Sequence, residues 1–268
     1  MLEKKDKEGN DEMMIFDSHA HYDDEAFDED REDLLGALKE SGIGKVVNVG
    51  ASMNTSRTSI ELAKKYDYIY ASIGVHPSET EELTEEKSDE LKGYSKLDKV
   101  VAIGEIGLDY YYPTPDRDLQ KKWFYKQLDL AVETKLPVII HSREAAKETM
   151  DILKEYQGRI TKGVIHCYSY GVEMAKEFVN MGYYIGIGGV LTFNNAKKLK
   201  EVAKEIPIDK IVLETDCPYL SPVPNRGKRN SSINLEYVVK ELAVIKGISE
   251  DEVKEITYNN AMKLYGLE

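Results

Sequence analysis

The sequence predicts a (β/α)8 TIM barrel, an α/β fold built as one domain. Three observations carry that expectation. Short β-rich runs alternate eight times with stretches of helical periodicity. The chain has 268 residues, close to the roughly 250 typical of such barrels. The first run is followed by histidines, where the competing doubly wound sheet usually carries a glycine-rich phosphate turn. No low-complexity linker or break in composition divides the chain. The barrel is therefore expected over residues 13–268, after a charged stretch, 1–12, read as a disordered tail.

The β-rich runs are Met14–Asp17, Lys45–Val49, Ile69–Val75, Val100–Glu105, Val138–His141, Gly163–His166, Tyr183–Gly186 and Ile211–Glu214. Helical spacing of apolar residues marks 30–41, 55–66, 80–93, 117–135, 144–157, 171–181, 195–205 and 232–247. A last helix over 249–264 opens with Ser249 and Glu252, the spacing of a capping box. The acidic run Asp23–Asp33 suits the start of the first helix, where the helix dipole favours carboxylates.

Composition narrows the function. Lysine and arginine total 36 against 49 aspartates and glutamates, a formal net charge of −13. Such a surface repels phosphates and argues against non-specific duplex binding. Two cysteines, Cys167 and Cys217, are too few for a disulfide framework and fit a reducing cytoplasm. No apolar run approaches the ~18 residues of a membrane span. No surface pattern marks an oligomer interface or an obligate partner, so a monomer is expected.

Five histidines punctuate the barrel pattern: His19, His21, His76, His141 and His166. Each stands at or just after the C-terminal end of a predicted strand, the end on which barrel active sites converge. His19 and His21 continue one strand, and residues i and i+2 point to the same side. Glu105 ends the fourth run and Asp216 follows the eighth. Glu105 has two oxygens and is able to bridge two cations. Together His19, His21, Glu105, His141, His166 and Asp216 suit one or two divalent ions of the Zn, Mn or Fe type, with Mg less natural beside so many imidazoles. Cys167 and Cys217 each follow a proposed ligand. In an extended segment they point the other way, so both are expected as buried packing residues.

Around these residues the sequence resembles the TatD-like metal-dependent hydrolases of the amidohydrolase superfamily. The matching segments are IFDSHAHYD (15–23), GVHP (74–77), GEIGLDYY (104–111), PVIIHSREAAKE (137–148), IHCYS (165–169), IPIDKIVLETDCPYL (206–220), NRGKRNSS (225–232) and NNAMKLYG (259–266). The resemblance implies two divalent metal ions (Mg, Mn or Zn). His19, His21, Glu105 and Asp216 would hold the first, and Glu105, His141 and His166 the second, with Glu105 bridging. Other branches of the superfamily bridge with a carboxylated lysine after strand 4, and none lies near Glu105 on that side. The chain departs from the family pattern at Ser78, Tyr170 and Asn230-Ser231-Ser232, none of them a proposed ligand.

The resemblance further implies a deoxyribonuclease, a 3′-to-5′ exonuclease on single-stranded DNA or 3′ ends. In that chemistry a metal-bridging hydroxide attacks the phosphodiester. Asp216 doubles as general base, and Glu105 sets the spacing of the metals. His76 lies outside the ligand set. It either donates to a phosphoryl or leaving oxygen or orients the turn before Pro77. Arg143, Arg226 and Lys228, with Arg229, are the basic residues expected on the catalytic rim to hold phosphates. Gly186, Gly188 and Gly189 offer backbone amides for the same purpose, and Tyr110–Tyr112, Tyr168, Tyr170 and Tyr219 offer rings for unpaired bases. Two bound cations change the formal charge only from −13 to −9 (−13 + 4), so modest affinity is expected. The alternative is a two-metal hydrolase of an ester, amide or lactone bond, tRNA deacylation included. A purely structural metal site fits less well, since such sites are usually closed by four ligands.

Overall fold

The computed structural model describes residues 14–268; the stretch 1–12 lies outside the described residues. Eight strands form one sheet in sequence order, each paired parallel to the next. They are β1 (Ile15–Ala20), β2 (Ile43–Val49), β3 (Ile69–Ile73), β4 (Val100–Asp109), β5 (Val138–Arg143), β6 (Gly163–Ile165), β7 (Tyr183–Ile187) and β8 (Ile211–Leu213). The helices between and after them are α1 (Arg31–Ala37), α2 (Met53–Lys65), α3 (Glu85–Tyr94), α4 (Arg117–Thr134), α5 (Ala146–Glu155), α6 (Val172–Asn180), α7 (Lys197–Glu205), α8 (Leu235–Lys246) and α9 (Glu250–Tyr265). The expected barrel is the observed one.

Local chemistry accounts for most helix boundaries. Ser249 and Glu252 cap α9 reciprocally, as their spacing predicts. The third helix starts later than expected. Pro77 opens a 3-10 turn over Pro77–Glu82, and Thr84 then caps α3 by accepting from the Lys87 N–H. The first helix is shorter than expected because a 3-10 turn and left-handed Gly42 end it.

Two apolar layers fill the molecule. Outward-facing strand residues pack under buried helix residues, among them Phe124 and Leu128 of α4 and Phe178 of α6. Inward-facing Phe16, Val47, Val49, Val101, Ile139, Val164 and Val212 fill the barrel. Ala261, Leu264 and Tyr265 of α9 join that inner layer. The Tyr265 hydroxyl donates to the Ser18 carbonyl at 2.8 Å, tying α9 to β1. The barrel is thus packed from below, and only its C-terminal end is free to be polar.

Two register irregularities fall where the candidate ligands lie. One sits in β1 between Asp17 and Ala20, the other in β4 between Ile103 and Ile106. Bulges re-aim side chains beside functional sites, and here they flank His19 and Glu105. Strand β4 also runs on to Asp109, where the sequence suggested an end at Glu105. Beyond the bulge it pairs again, Gly107 with His141 and Asp109 with Arg143.

The barrel closes between β1 and the segment after β8 through one buried carboxylate. Asp17 Oδ1 accepts from the backbone N–H of His19 (3.2 Å) and of Thr215 (3.0 Å). Its Oδ2 accepts from the hydroxyls of Thr215 (2.7 Å) and Ser232 (2.6 Å). Burial nevertheless pushes its pKa up to about 6. Asp17→Ala leaves these four donors without their acceptor in the core and is expected to cost about 3–5 kcal/mol. Asp17→Asn keeps one oxygen and should recover at least half of that loss. Urea unfolding measures both; a loss below about 0.5 kcal/mol in the alanine variant would remove Asp17 from the closure.

Candidate metal centre

Every sequence-predicted ligand arrives at one place. His19 is on β1, with His21 just beyond its end, Glu105 is on β4, His141 is on β5, His166 directly follows β6, and Asp216 lies three residues beyond β8. The i, i+2 argument holds, for the Nε2 atoms of His19 and His21 stand 3.0 Å apart. Glu105 Oε2 is 3.5 Å from His19 Nε2 and 3.9 Å from His21 Nε2. Asp216 Oδ1 is 3.7 and 3.5 Å from the same two nitrogens. The other Glu105 oxygen, Oε1, faces His141 Nδ1 at 2.8 Å, His166 Nε2 at 3.7 Å and His76 Nε2 at 3.8 Å. Each carboxylate oxygen of Glu105 therefore serves a different group of imidazoles.

The residues fit divalent cations. His19, His21 and Asp216 converge within 4.8 Å of one another, and so do Glu105, His141 and His166. Neutral imidazole nitrogens beside anionic oxygens are the donors that Zn, Mn and Fe prefer. The electrostatics point the same way. Burial works against ionised Glu105, but His166, His76, His141 and His19 hold it well below the usual carboxylate range. Burial also opposes charge on His166, yet Glu214, Glu105 and Asp216 raise it to about 10. His21 rises to about 9 against its own burial, chiefly through Asp216. The carboxylates draw positive charge into this pocket.

The outer nitrogens of three of the imidazoles are held too. His21 Nδ1 stands 3.0 Å from the Val49 carbonyl, and His141 Nε2 stands 3.1 Å from Asp109 Oδ2. His76 accepts the Ser78 backbone N–H on Nδ1 at 3.1 Å. That leaves the proton on Nε2, aimed at Glu105. His76 therefore both orients the turn before Pro77 and faces the site. Burial, with His141 beside it, lowers its pKa to about 3.

An open cavity of about 510 Å³ holds His21, His76, Glu105, His141, His166 and Asp216. Arg143, Tyr112 and Tyr219 line it as well. Arg143 stacks on Tyr111, its guanidinium 3.8 Å from the ring centre. Tyr219 is 57 % exposed, and its hydroxyl donates to Asp24. Arg226 and Lys228 do not line this cavity. Arg226 stacks over Phe193, and Arg229 is committed to Asp30.

Some expectations need correction. Cys217 is buried as expected, but Cys167 is only partly so, and its thiol lies within ligand reach of His166 and Asp216. The chain turns at Cys167, with φ +45°, so strand alternation does not apply there. Tyr168 is buried, with its hydroxyl on the Gly171 carbonyl, and Tyr170 is bound to Ser142. Tyr168 therefore presents no free face for a base. Sequence reasoning passed over Asp17, Asp109 and Glu214. Each lies two or four residues from a candidate ligand (His19, Glu105, Asp216), the parity of one strand face.

Comparison with known proteins agrees with this geometry. The family model described as TatD related DNase matches residues 16–266. A Bacillus subtilis protein called an uncharacterized metal-dependent hydrolase, YabD, is 42 % identical over 252 residues, covering 94 % of this chain and 99 % of that one. Its Escherichia coli K12 counterpart YcfH is 32 % identical over 259 residues, covering 96 % and 97 %. The crystal structure of YJJV, a TatD homolog from the same bacterium, superposes with a TM-score of 0.89 at 30 % identity, covering 95 % and 98 %. A lactonase from Deinococcus radiodurans, at 15 % identity and a TM-score of 0.65, shares the fold.

Because Glu105 faces both groups of imidazoles, Glu105→Ala should weaken binding of Mn²⁺ or Zn²⁺ throughout the site. Asp216→Ala removes a ligand from one group only. Calorimetric titration should show the Glu105 variant at least about 100-fold weaker for every ion. The Asp216 variant should keep one site near wild-type affinity. Equal effects from the two variants would contradict the shared role of Glu105.

Proposed function

We propose that this chain, which belongs to the TatD family of metal-dependent hydrolases, is a deoxyribonuclease that removes nucleotides 3′ to 5′ from single-stranded DNA. The observation that carries the substrate class is the rim of the cavity. Tyr112 and Tyr219, 55 % and 57 % exposed, flank a cluster of carboxylates and imidazoles together with Arg143. Exposed rings held in place stack on bases without regard to sequence, and only unpaired bases offer them a face. Arg143 supplies a planar cation for a phosphate. Arg226 and Lys228, outside the cavity, serve phosphates further along the strand.

Two divalent ions bound in the cluster would supply Lewis-acid charge to a water and to a phosphoryl oxygen. Glu105 divides its two oxygens between the two ligand groups and so fixes their separation. His19, His21, His141 and His166 present ring nitrogens toward it. Asp216, whose side chain is 20 % exposed, reaches the cavity and takes the proton of the attacking water. His76 presents its Nε2–H to the same space and donates to a phosphoryl or leaving oxygen. Its ring is locked by the Ser78 N–H, so that donor is already oriented. Tyr112 and Tyr219 hold the bases on either side of the reacting phosphate, and Arg143 holds a neighbouring phosphate.

A 3′-labelled single-stranded oligodeoxynucleotide tests this with EDTA, Mg²⁺, Mn²⁺ and Zn²⁺. Stepwise loss of 3′ nucleotides is expected with metal, abolished by Glu105→Ala. His76→Ala should lower kcat about 10²-fold or more. Tyr112→Ala and Tyr219→Ala should each raise KM about 5–100-fold, as loss of one stacked base does. No cleavage by folded, metal-loaded protein would overturn the nuclease reading and direct attention to esters, amides and lactones.

A further inference from the structure

Strand β7 and the turn after it carry glycine at 186 and 188, and a carboxylate occupies the space they leave. A Cβ on Gly186 would collide with the carboxylate of Glu214. One on Gly188 would lie 2.8 Å from the Glu214 carbonyl oxygen. These glycines make room for Glu214, which is a different role from offering amides to a phosphate. Glu214's own backbone is placed without that carboxylate, since its N–H donates to the Ile187 carbonyl.

Glu214 is 1 % exposed. Its Oε1 accepts the backbone N–H of Cys167 at 2.5 Å. Its Oε2 has no hydrogen-bond partner, and His166 Nδ1, 3.3 Å away, has none either. A buried ionised carboxylate is strongly unfavourable unless it is paired. These two buried atoms, one an acceptor and one able to donate, face each other. On its other edge His166 turns Nε2 toward Glu105 at 3.7 Å and Asp216 at 3.8 Å.

We propose that Glu214 is a positioning residue of the metal centre. It takes the Nδ1–H of His166, fixes the tautomer and plane of the ring, and leaves the Nε2 lone pair for the cation. The proposal rests on the metal-dependent reading above. His21 is held by a carbonyl and His141 by Asp109 at the cavity wall. Glu214, enclosed in the barrel, is near His19 as well, but its 3.3 Å approach is to the Nδ1 of His166, so the basicity of that ring toward metal gains most. An ion pair kept for stability alone is a weaker account, because a buried pair often stabilises no more than packed apolar groups.

The test reads metal affinity, by competition with a chromophoric chelator for Zn²⁺ and Mn²⁺, and thermal stability in EDTA. Glu214→Gln keeps the shape and removes the charge. It should weaken metal binding about 10–100-fold, while the melting temperature in EDTA moves by less than about 4 °C. Gly186→Ala displaces the carboxylate without altering any ligand and should weaken metal binding in the same range. Combined with Glu214→Ala, Gly186→Ala should add nothing further, since the carboxylate it displaces is gone. Should the glutamine variant fail to fold, the Gly186→Ala and Glu214→Ala pair decides. Affinity within twofold of wild type in Glu214→Gln and Gly186→Ala would overturn the proposal. So would a large fall in stability in EDTA with affinity unchanged. A wild-type protein that binds no divalent ion would overturn the functional reading as well; one that binds while its Glu214→Gln variant binds equally overturns this inference alone.

Discussion

The closure of the barrel by Asp17 is the constraint on which the metal centre depends. Seven of the eight strand junctions are ordinary parallel ladders. The eighth is made by residues 19–21, at and just past the end of β1, against 215–217 after β8. Thr215 and Asp216 donate to the His19 carbonyl, and His21 donates to Cys217. Asp17 secures that junction from inside. The segments it draws together carry His19, His21 and Asp216, so closing the fold and assembling half of the ligand set are one event. Burial raises the pKa of this carboxylate to about 6, so its charge is not favoured there. Its role is geometric, because four donors from three parts of the chain need one acceptor.

The second half of the ligand set is built differently. Glu105, His141 and His166 lie at β4, β5 and β6, which are neighbours in both sequence and space. Ladder hydrogen bonds alone bring them side by side, with His166 N–H donating to the Ile140 carbonyl. What the ladder does not supply is direction. The bulge in β4 turns Glu105 inward, where it meets the histidines of both halves. One carboxylate thus joins a half made by ladders to a half made by closure.

Charge is organised on the same plan. The protein carries a formal −13, and several surface cations among the described residues are already paired with carboxylates. Arg229 binds Asp30, Arg57 binds Glu90 and Lys154 binds Glu177. Arg143 forms no such pair and stacks on tyrosine at the cavity mouth. So acidic a surface repels a polyanion, and Arg143 stands at the cavity mouth as a cation that no carboxylate among the described residues neutralises.

Much of this was legible in the linear sequence. Alternating strand and helix patterns fix the barrel, because periodicities of 2 and 3.6 report which faces are buried. Histidines at strand ends locate the site, because parallel strands in a barrel all end on one side. His19, His21, Glu105, His141, His166 and Asp216 were therefore recognisable, and the resemblance divided them into two groups. The groups that hold these ligands were not recognisable as such. Asp17, Asp109 and Glu214 act through atoms contributed by distant segments, and local spacing carries no record of such partners. Cys167 was misplaced because a left-handed turn interrupts the strand parity on which its orientation was judged. Arg229 looked like Arg143 in sequence, but Asp30 claims it only once the chain is folded. The sequence by itself determined the fold and which residues converge as candidate ligands, since both follow from short-range pattern. Only the tertiary structure decided their orientation and support, since those depend on contacts between residues far apart in the chain.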